Sequence, residues 1–509
     1  MDTSDNKFNF LIVIFTSLLI VSLFSAFSVS YGIYGALFLI AAISFIFNFN
    51  NYRFSAKALL PVLFFAAAVI ISYYFADYKY NVRQNILLLA AAGSSYILLG
   101  FLNAYSRRSI TIIPVFIALW LTIYIFAANF TSRAQAGNSS ATACFLVCAM
   151  CLSFVFWWNQ NRIYIYTSFI VFAAIALTKS YLAAAVASLA FAAFLFFMRR
   201  KVIVRPYLAI APFAALFAAA LYFLYTAAFF EPVLIRWQTA LHIIKDNWLF
   251  GVGFGNYPFA AFPFSADAGI DVRDAGNIFL RIFAETGIFG FLSFCAVLCV
   301  FFRSIFKKLK LFENKELLLP VLLSVISFML YNFFDSSAFT STNIVLFFIL
   351  AAFPITQYET VLRKRKINFF ILLICLIPLF AAIIKPLYAK QQYEKGITFF
   401  TSEKYSVAYD YYLSALNSDP MNPEYASKIS DNYFALYQIT KNDINLNCAL
   451  EFEKYALSLN KYEAKYCAQI AWLYHFKGEK ALASEYISKA IELDKSNELY
   501  QQAYGELIY

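Results

Sequence analysis

The feature that most constrains this chain is a series of long apolar runs in residues 1–385. A helix that crosses a bilayer needs about 20 predominantly apolar residues. The chain is 62% hydrophobic and 14% charged, whereas a soluble globular chain is about 45–50% apolar and about 25% charged. We therefore predict an all-α fold, a polytopic membrane helix bundle with about 12–13 transmembrane helices. The predicted spans are Phe8–Phe27, Gly32–Phe47, Ala58–Ala76, Asn85–Leu102, Ile110–Ala128, Ala141–Trp158, Ile163–Thr178, Tyr181–Met198, Tyr207–Ala227, Gly287–Ile305, Leu317–Phe334, Asn343–Tyr358 and Phe369–Ile384.

The loops between these spans predict the orientation of the bundle. Lysine and arginine are concentrated in alternate loops, including residues 199–201 and 363–366, and loops of this kind lie in the cytoplasm. The N-terminus is therefore predicted to be cytoplasmic. The longest gap between spans, residues 228–286, and the C-terminus are predicted to lie outside. Because these loops account for much of the net charge of +11, nucleic acid is not a predicted partner.

The composition changes at Lys385, where apolar runs give way to Lys, Glu, Asp, Asn and Tyr at helical spacing. Residues 386–509 contain a repeat that matches the 34-residue tetratricopeptide (TPR) pattern. We predict a TPR-like α-solenoid, which either binds a protein partner or stabilises the rest of the chain without a ligand of its own. One copy places Gly396, Phe399, Ala408, Tyr412, Ala415 and Pro420 at positions 8, 11, 20, 24, 27 and 32, and a later copy places Tyr474, Ala483 and Ala490 at positions 11, 20 and 27.

Five cations on the predicted outer side need an explanation, because the positive-inside rule does not require them there. They are Arg133, Lys179, Arg236, Arg273 and Arg281. Fixed cations beside a bilayer suit a phosphate-bearing lipid head group, and arginine can bind phosphate through two hydrogen bonds. The alternative for each is an interfacial residue that snorkels or caps a helix.

The outer loop also contains candidates for acid–base chemistry. Glu285 and Asp274 could each act as a general base, as a partner of an arginine or as a carboxylate near a helix start, and the sequence does not choose. The amphipathic segment that contains His242 predicts an interfacial helix. His242 itself could be a packed residue, an interfacial residue or a catalytic residue. The glycines from Gly251 to Gly255 predict a tight turn, because no Walker lysine accompanies them. With two histidines in the chain, no metal site and no cofactor is predicted.

Several of these pieces together resemble the O-antigen ligase and polymerase superfamily. Residues 246–259, DNWLFGVGFGNYPF, and residues 275–290, AGNIFLRIFAETGIFG, are similar to its signature. SRAQAGNSSATA resembles the Arg–Gly–Asn stretch of that family, and LTKSYLAAAVA resembles its Thr-x-Ser-Arg segment, although Tyr181 stands where Arg is usual. The matching positions are Arg133, Gly137, Asn138, Arg236, Trp237, Gly251, Gly253, Gly255, Asn277, Leu280, Glu285, Gly287 and Gly290.

This resemblance implies glycan transfer at the outer face of the bacterial inner membrane. The donor would be a polyprenyl-diphosphate-linked glycan, and the acceptor a lipid, another glycan or a protein hydroxyl. The outer cations and Asn277 would bind the donor. Arginines would stabilise the charge that develops on the leaving group, so that no metal is needed.

The sequence departs from the family at one position, because Gly276 stands where the family has the histidine that is central to acceptor activation. Three interpretations follow. Another group, Glu285, Asp274 or His242, does that work; or the protein binds the lipid-linked glycan without transferring it; or transfer relies on leaving-group stabilisation alone. Two hypotheses from other classes are a transporter of lipid-linked or small solutes and a scaffold that recruits protein partners through its repeats.

Overall fold

The computed structural model describes residues 56–98, 111–119, 121–122, 139–158, 162–178, 180–198, 230–264, 270–311, 315–336, 343–354, 367–495 and 497–508. Throughout these ranges every regular element is a helix, which agrees with the predicted all-α class. The predicted spans at 8–27, 32–47 and 207–227 lie outside the described residues, as does part of the predicted span at 110–128.

The first part of the described chain is a bundle of packed helices. Its helices are Ala56–Phe75 (α1), Lys79–Leu98 (α2), Ser139–Trp158 (α3), Arg162–Leu177 (α4), Tyr181–Met198 (α5), Phe230–Asn247 (α6), Tyr257–Ala261 (α7), Ile278–Lys310 (α8), Lys315–Asn332 (α9) and Asn343–Ala352 (α10). Every side chain of α3 from residue 143 to 155 is buried, and so is every side chain of α10. A helix that is apolar on all sides belongs at the centre of such a bundle.

Two of the described helices, α8 and α9, are long and apolar enough to cross a membrane, by length and composition. Large apolar side chains on α1 and α8 are exposed, among them Phe64 and Phe289. An exposed apolar surface of this kind marks contact with lipid or with another apolar partner.

Helix α8 is kinked at Gly287, whose backbone has φ 65° and ψ −169°. The kink removes the local helical hydrogen bond, and the amide of Ile288 donates instead to the carbonyl of Trp248, at 3.0 Å. A Cβ at Gly287 would lie 2.1 Å from the carbonyl oxygen of Leu249. Only glycine permits both this left-handed φ and this close approach. The kink thereby fixes the position of the chain that follows α6.

The C-terminal part of the chain, which we call the repeat tail, is a series of helical pairs that starts with a long helix. Its helices are Ile367–Thr401 (α11), Tyr405–Ser418 (α12), Pro423–Thr440 (α13), Asp443–Leu459 (α14), Ala464–Phe476 (α15), Lys480–Leu493 (α16) and Glu498–Ile508 (α17). Consecutive helices pack on each other along the series. The predicted domain boundary at residue 385 lies inside α11, so one continuous helix connects the bundle side to the repeats.

Small residues allow the paired helices to approach closely. A Cβ at Gly396 of α11 would lie 2.5 Å from Cε1 of Tyr412 in α12. Ala408 and Ala415 have no exposed surface, and neither have Ala483 and Ala490 at the matching positions of α16. The residues that the 34-residue pattern selects are therefore the ones at the helix contacts, and helical repeats are present as predicted.

The repeat tail docks on the bundle through the segments that connect one helical pair to the next. Asp419, between α12 and α13, forms a 2.7 Å ion pair with Arg83 of α2. Lys461, between α14 and α15, forms a 2.9 Å ion pair with Asp77. These bundle residues belong to residues 77–85, the turn between α1 and α2 and the first turns of α2, which we call the adaptor segment.

The repeat tail contains a buried carboxylate that predicts a pH-dependent stability. Glu453 of α14 has no exposed surface and accepts a hydrogen bond from Ser427 Oγ at 3.3 Å. Burial, with the nearby negative charge of Asp431, raises the pKa of Glu453 to about 8. The folded tail therefore keeps a proton at Glu453 that the unfolded tail releases above its ordinary pKa.

We expect the stability contributed by this proton to be complete below about pH 4.5 and to be lost as the pH rises towards about 8. Hydrogen exchange of α14 in the full-length protein, corrected for intrinsic rates, should show an opening free energy that falls by at most about 1.4 kcal/mol per pH unit in this window. Glu453→Gln should remove this slope, whereas Glu485→Gln, at an exposed pair with Lys489, should keep it. An unchanged slope in Glu453→Gln would contradict the assignment.

Candidate functional site

A buried arginine between two carboxylates forms the centre of the candidate site. Arg281, in the first turn of α8, is 3% exposed and Glu285 is fully buried. Arg281 Nε donates to Glu285 Oε1 at 3.1 Å, and Nη1 lies 3.5 Å from Asp274 Oδ1. The spacing of four residues places Arg281 and Glu285 on one face of α8. Three predicted site residues are thus in direct contact.

Ser336, which follows α9, completes this ion network. The backbone carbonyl of Ser336 accepts from Arg281 Nη1 at 3.3 Å, while its amide donates to Asp274 Oδ2 at 3.2 Å and its hydroxyl donates to Oδ1. Burial and the negative charge of Asp335 raise the pKa of Asp274, and Arg281 opposes this shift. Asp274 therefore links the outer loop, α8 and the end of α9.

Glu285 is positioned by the turn from Gly251 to Asn256, which we call the glycine turn. The amide of Val252 donates to the carbonyl of Ala284 at 2.9 Å, and the amide of Gly253 donates to the carbonyl of Glu285 at 3.0 Å. The amide of Tyr257 donates to Glu285 Oε1 at 3.4 Å. These three backbone donors fix both the main chain and the side chain of Glu285.

Two buried polar atoms in this region have no hydrogen-bond partner within the described chain. One is Glu285 Oε2 and the other is the hydroxyl of Tyr257, a residue without exposed surface. Burial raises the pKa of Tyr257, with a further contribution from the negative charge of Asp274. A buried polar group without a partner is costly and calls for an explanation. A ligand hydroxyl or an ordered water next to either atom would satisfy it.

The second arginine, Arg236, is half-buried on α6 and differs from Arg281 in its partners. Its Nε donates to the carbonyl of Asp271 at 3.2 Å, but none of the ion pairs within the described chain involves Arg236. A Cβ at Gly276 would lie 3.5 Å from Arg236 Cδ. Trp237, the next residue, donates from Nε1 to the carbonyl of Gly276 at 3.1 Å. Arg236 therefore presents a positive charge that no direct ion pair of the described residues engages, beside the loop that contains Asp271 and Asp274.

The other predicted site residues have different surroundings. Arg273 forms an exposed ion pair with Asp271 at 2.8 Å, and Arg273 lowers the pKa of that carboxyl. Asn277 is the N-cap of α8, since its Oδ1 accepts from the amide of Phe279 at 2.8 Å. His242 is exposed, 4.0 Å from Asp246. No hydrogen bond or ion pair within the described ranges joins it to the Arg281 network.

Arg133 and Lys179, which were also predicted to bind substrate, lie outside the described residues. The structure also adds residues that the sequence did not single out. Ser336 follows α9 in the polar run DSSAFTST, and a polar run directly after an apolar span was a usable signal. Tyr257 is one of 36 tyrosines, and nothing in its local sequence distinguishes it.

No family model and no curated protein matches the sequence. Matches to solved structures include 23 chains. One of them is the first TPR of Spaghetti (RPAP3) bound to the HSP90 peptide SRMEEVD, which is 21% identical to this chain. That match covers 24% of this chain and 91% of that chain, with a TM-score of 0.22. The similarity to the O-antigen ligase superfamily stays a prediction.

The surroundings of Gly251 and Gly276 predict that replacement by alanine destabilises the protein to different extents at the two positions. At Gly251 a Cβ would lie 2.4 Å from the carbonyl carbon of Glu285 and 2.5 Å from the amide nitrogen of Thr286. We expect Gly251→Ala to displace Glu285. At Gly276 the nearest atom is 3.5 Å away, so Gly276→Ala should cost only the left-handed backbone conformation, about 1–2 kcal/mol.

Thermal unfolding of the full-length variants in detergent micelles measures this difference. Gly251→Ala should lower the midpoint more than Gly276→Ala, and it should also increase hydrogen exchange around residue 285. Equal effects of the two substitutions would contradict a close contact between the glycine turn and Glu285.

Proposed function

We propose that this protein is a multi-pass protein of the bacterial inner membrane that transfers a glycan from a polyprenyl-diphosphate carrier to a lipid, glycan or protein acceptor. The observation that carries the proposal is the presence of Arg236, a cation without a direct ion pair among the described residues, near a buried carboxylate network that leaves Glu285 Oε2 without a partner. The first suits an anionic leaving group, and the second suits the activation of a hydroxyl.

In this proposal Arg236 binds the diphosphate of the donor. A guanidinium can form two parallel hydrogen bonds with phosphate oxygens. Arg281 has another role, because its guanidinium is already engaged by Asp274 and Glu285. It fixes the orientation of the two carboxylates.

Glu285 is the proposed general base. The acceptor hydroxyl gives its proton to Oε2 while its oxygen forms a bond to the anomeric carbon of the glycan. The bond between that carbon and the diphosphate oxygen breaks, and the carrier diphosphate leaves with the electron pair, stabilised by Arg236. Asp274 is less suited to this step, because both of its oxygens already accept hydrogen bonds from Ser336.

The apolar surface next to the site supports a lipid-linked donor. A groove between α1 and α8 is lined by apolar side chains that include Phe64, Ile71 and Leu292. One turn beyond Ile71, Phe75 stacks on Phe250, which precedes the glycine turn, with ring centroids 3.9 Å apart. A polyprenyl chain fits this groove, because its long apolar chain would cover side chains that water otherwise contacts.

The repeat tail is proposed to bind a protein partner in addition to its contact with the bundle. Partly exposed polar side chains of α13 and α15 lie next to one another, since Lys465 contacts Glu424 at 3.4 Å and Gln469 donates to Asp431 at 3.1 Å. A row of paired donors and acceptors on neighbouring repeats suits an extended polypeptide.

The test of glycan transfer uses an undecaprenyl-diphosphate-linked glycan and the purified full-length protein in micelles. We expect release of undecaprenyl diphosphate that depends on the acceptor. Arg236→Gln should weaken donor binding about tenfold or more, because a charge-assisted hydrogen bond contributes about 1.5–3 kcal/mol. Arg273→Gln is the matched control, a nearby arginine that is already paired with Asp271, and it should bind within about threefold of the wild type.

Glu285→Gln separates binding from chemistry. We expect it to retain the donor and to lose transfer. If the wild type binds the donor and never releases the diphosphate, the protein is a binding relative without transferase activity. If it does not bind the donor at all, the transporter and scaffold hypotheses gain support and glycan transfer is wrong.

A further inference from the structure

The adaptor segment contacts the repeat tail on one side and the glycine turn on the other. Its residues come from the turn between α1 and α2 and from the first turns of α2. Side chains of this segment form ion pairs or hydrogen bonds with both of these elements. Its position between them gives the repeat tail a physical connection to Glu285.

The contacts to the repeat tail are short and polar. Arg83 forms a 2.7 Å ion pair with Asp419, whose side chain is only 1% exposed. Tyr80 accepts a hydrogen bond from Asn422 Nδ2 at 3.1 Å. Asp77 accepts from the hydroxyl of Tyr462 at 2.9 Å. A charge pair with a buried member is strongly coupled, because the loss of one partner leaves the other charge without compensation.

The contacts to the glycine turn come from the same stretch of chain. Asn81 Nδ2 donates to the carbonyl of Gly255 at 2.8 Å and to Asn256 Oδ1 at 3.0 Å. Asn256 Nδ2 donates in return to the carbonyl of Tyr78 at 3.2 Å. Asn256 has no exposed surface. The next residue, Tyr257, donates its amide to Glu285 Oε1.

We propose that the docked repeat tail positions Glu285, through the adaptor segment and the glycine turn, with Asn81 as the positioning residue. The Asp419–Arg83 pair fixes the start of α2, Asn81 on that helix fixes the end of the glycine turn, and the turn fixes the carboxylate. The chain of contacts is independent of the reaction, and only the consequence for transfer rests on the proposed function.

Hydrogen exchange of the full-length protein in micelles tests the physical connection. Asp419→Asn removes the charge with almost no change of shape. We expect amides of residues 252–257 to exchange at least about tenfold faster, while α14 keeps its protection and shows that the tail is still folded. Glu485→Gln, which removes an exposed ion pair elsewhere in the tail, should leave residues 252–257 unchanged.

Three further variants keep the test decisive. Arg83→Gln leaves the sequence of the tail intact, so it replaces Asp419→Asn if that variant unfolds α14. The exchanged pair, Arg83→Asp with Asp419→Arg, should restore protection of residues 252–257, which a general loss of stability would not do. If residues 252–257 keep wild-type exchange in both Arg83→Gln and Asn81→Ala, the proposal is overturned.

The transfer assay adds a measurement that a purely structural role of Asn81 would not change. Asn81→Ala should lower the rate constant of transfer at saturating donor about tenfold and leave donor binding within about threefold, since no hydrogen bond or ion pair of the described residues joins Arg236 to the adaptor segment. A changed exchange pattern without any transfer in the wild type would refute the proposed function but not the connection. A reduced rate with unchanged exchange would refute the connection.

Discussion

The rest of the site depends on the burial of one positive charge. Arg281 is almost completely removed from solvent, and a guanidinium in that position is stable only with carboxylates and carbonyls around it. Asp274, Glu285 and the carbonyl of Ser336 meet this requirement. Because these partners come from the outer loop, from α8 and from the end of α9, the charge specifies how three separate segments meet. An apolar residue at the same position would fill the space but would not specify the orientation of two carboxylates.

Backbone contact, and not only side-chain chemistry, gives Glu285 its place. The glycine turn lies so close to α8 that any side chain at Gly251 would overlap the main chain of Glu285. The absence of a side chain at Gly287 likewise allows the carbonyl oxygen of Leu249 to lie against α8. Each glycine loses more conformational entropy on folding than another residue would. Each also allows a close approach that no other residue allows. The turn therefore positions the proposed general base through backbone amides, as the phosphate-binding glycine turns of other proteins position their ligands.

The parts of the structure that follow from periodicity could be predicted from the sequence. Apolar runs predicted helices such as α3 and α5, and the 34-residue spacing selected Gly396 and Tyr412, which are in contact. The roles of individual charges could not be predicted in this way. Arg236 and Arg281 look alike in the sequence, and only the fold shows that one is paired with carboxylates while the other is not. Asn81 is far from residue 255 in the chain, so no local pattern indicates their hydrogen bond.

The absence of a side chain at Gly276 affects the roles proposed for Arg236 and Glu285. Its carbonyl accepts from Trp237, its amide donates to Asp274 Oδ2, and its φ of 62° suits glycine. The loop is thus fixed through its backbone, and the space that a side chain would occupy borders Arg236 instead. A histidine there would stand between the cation and the loop. Without one, Arg236 keeps its access, and in the proposed reaction the acceptor proton goes to the unpartnered oxygen of Glu285.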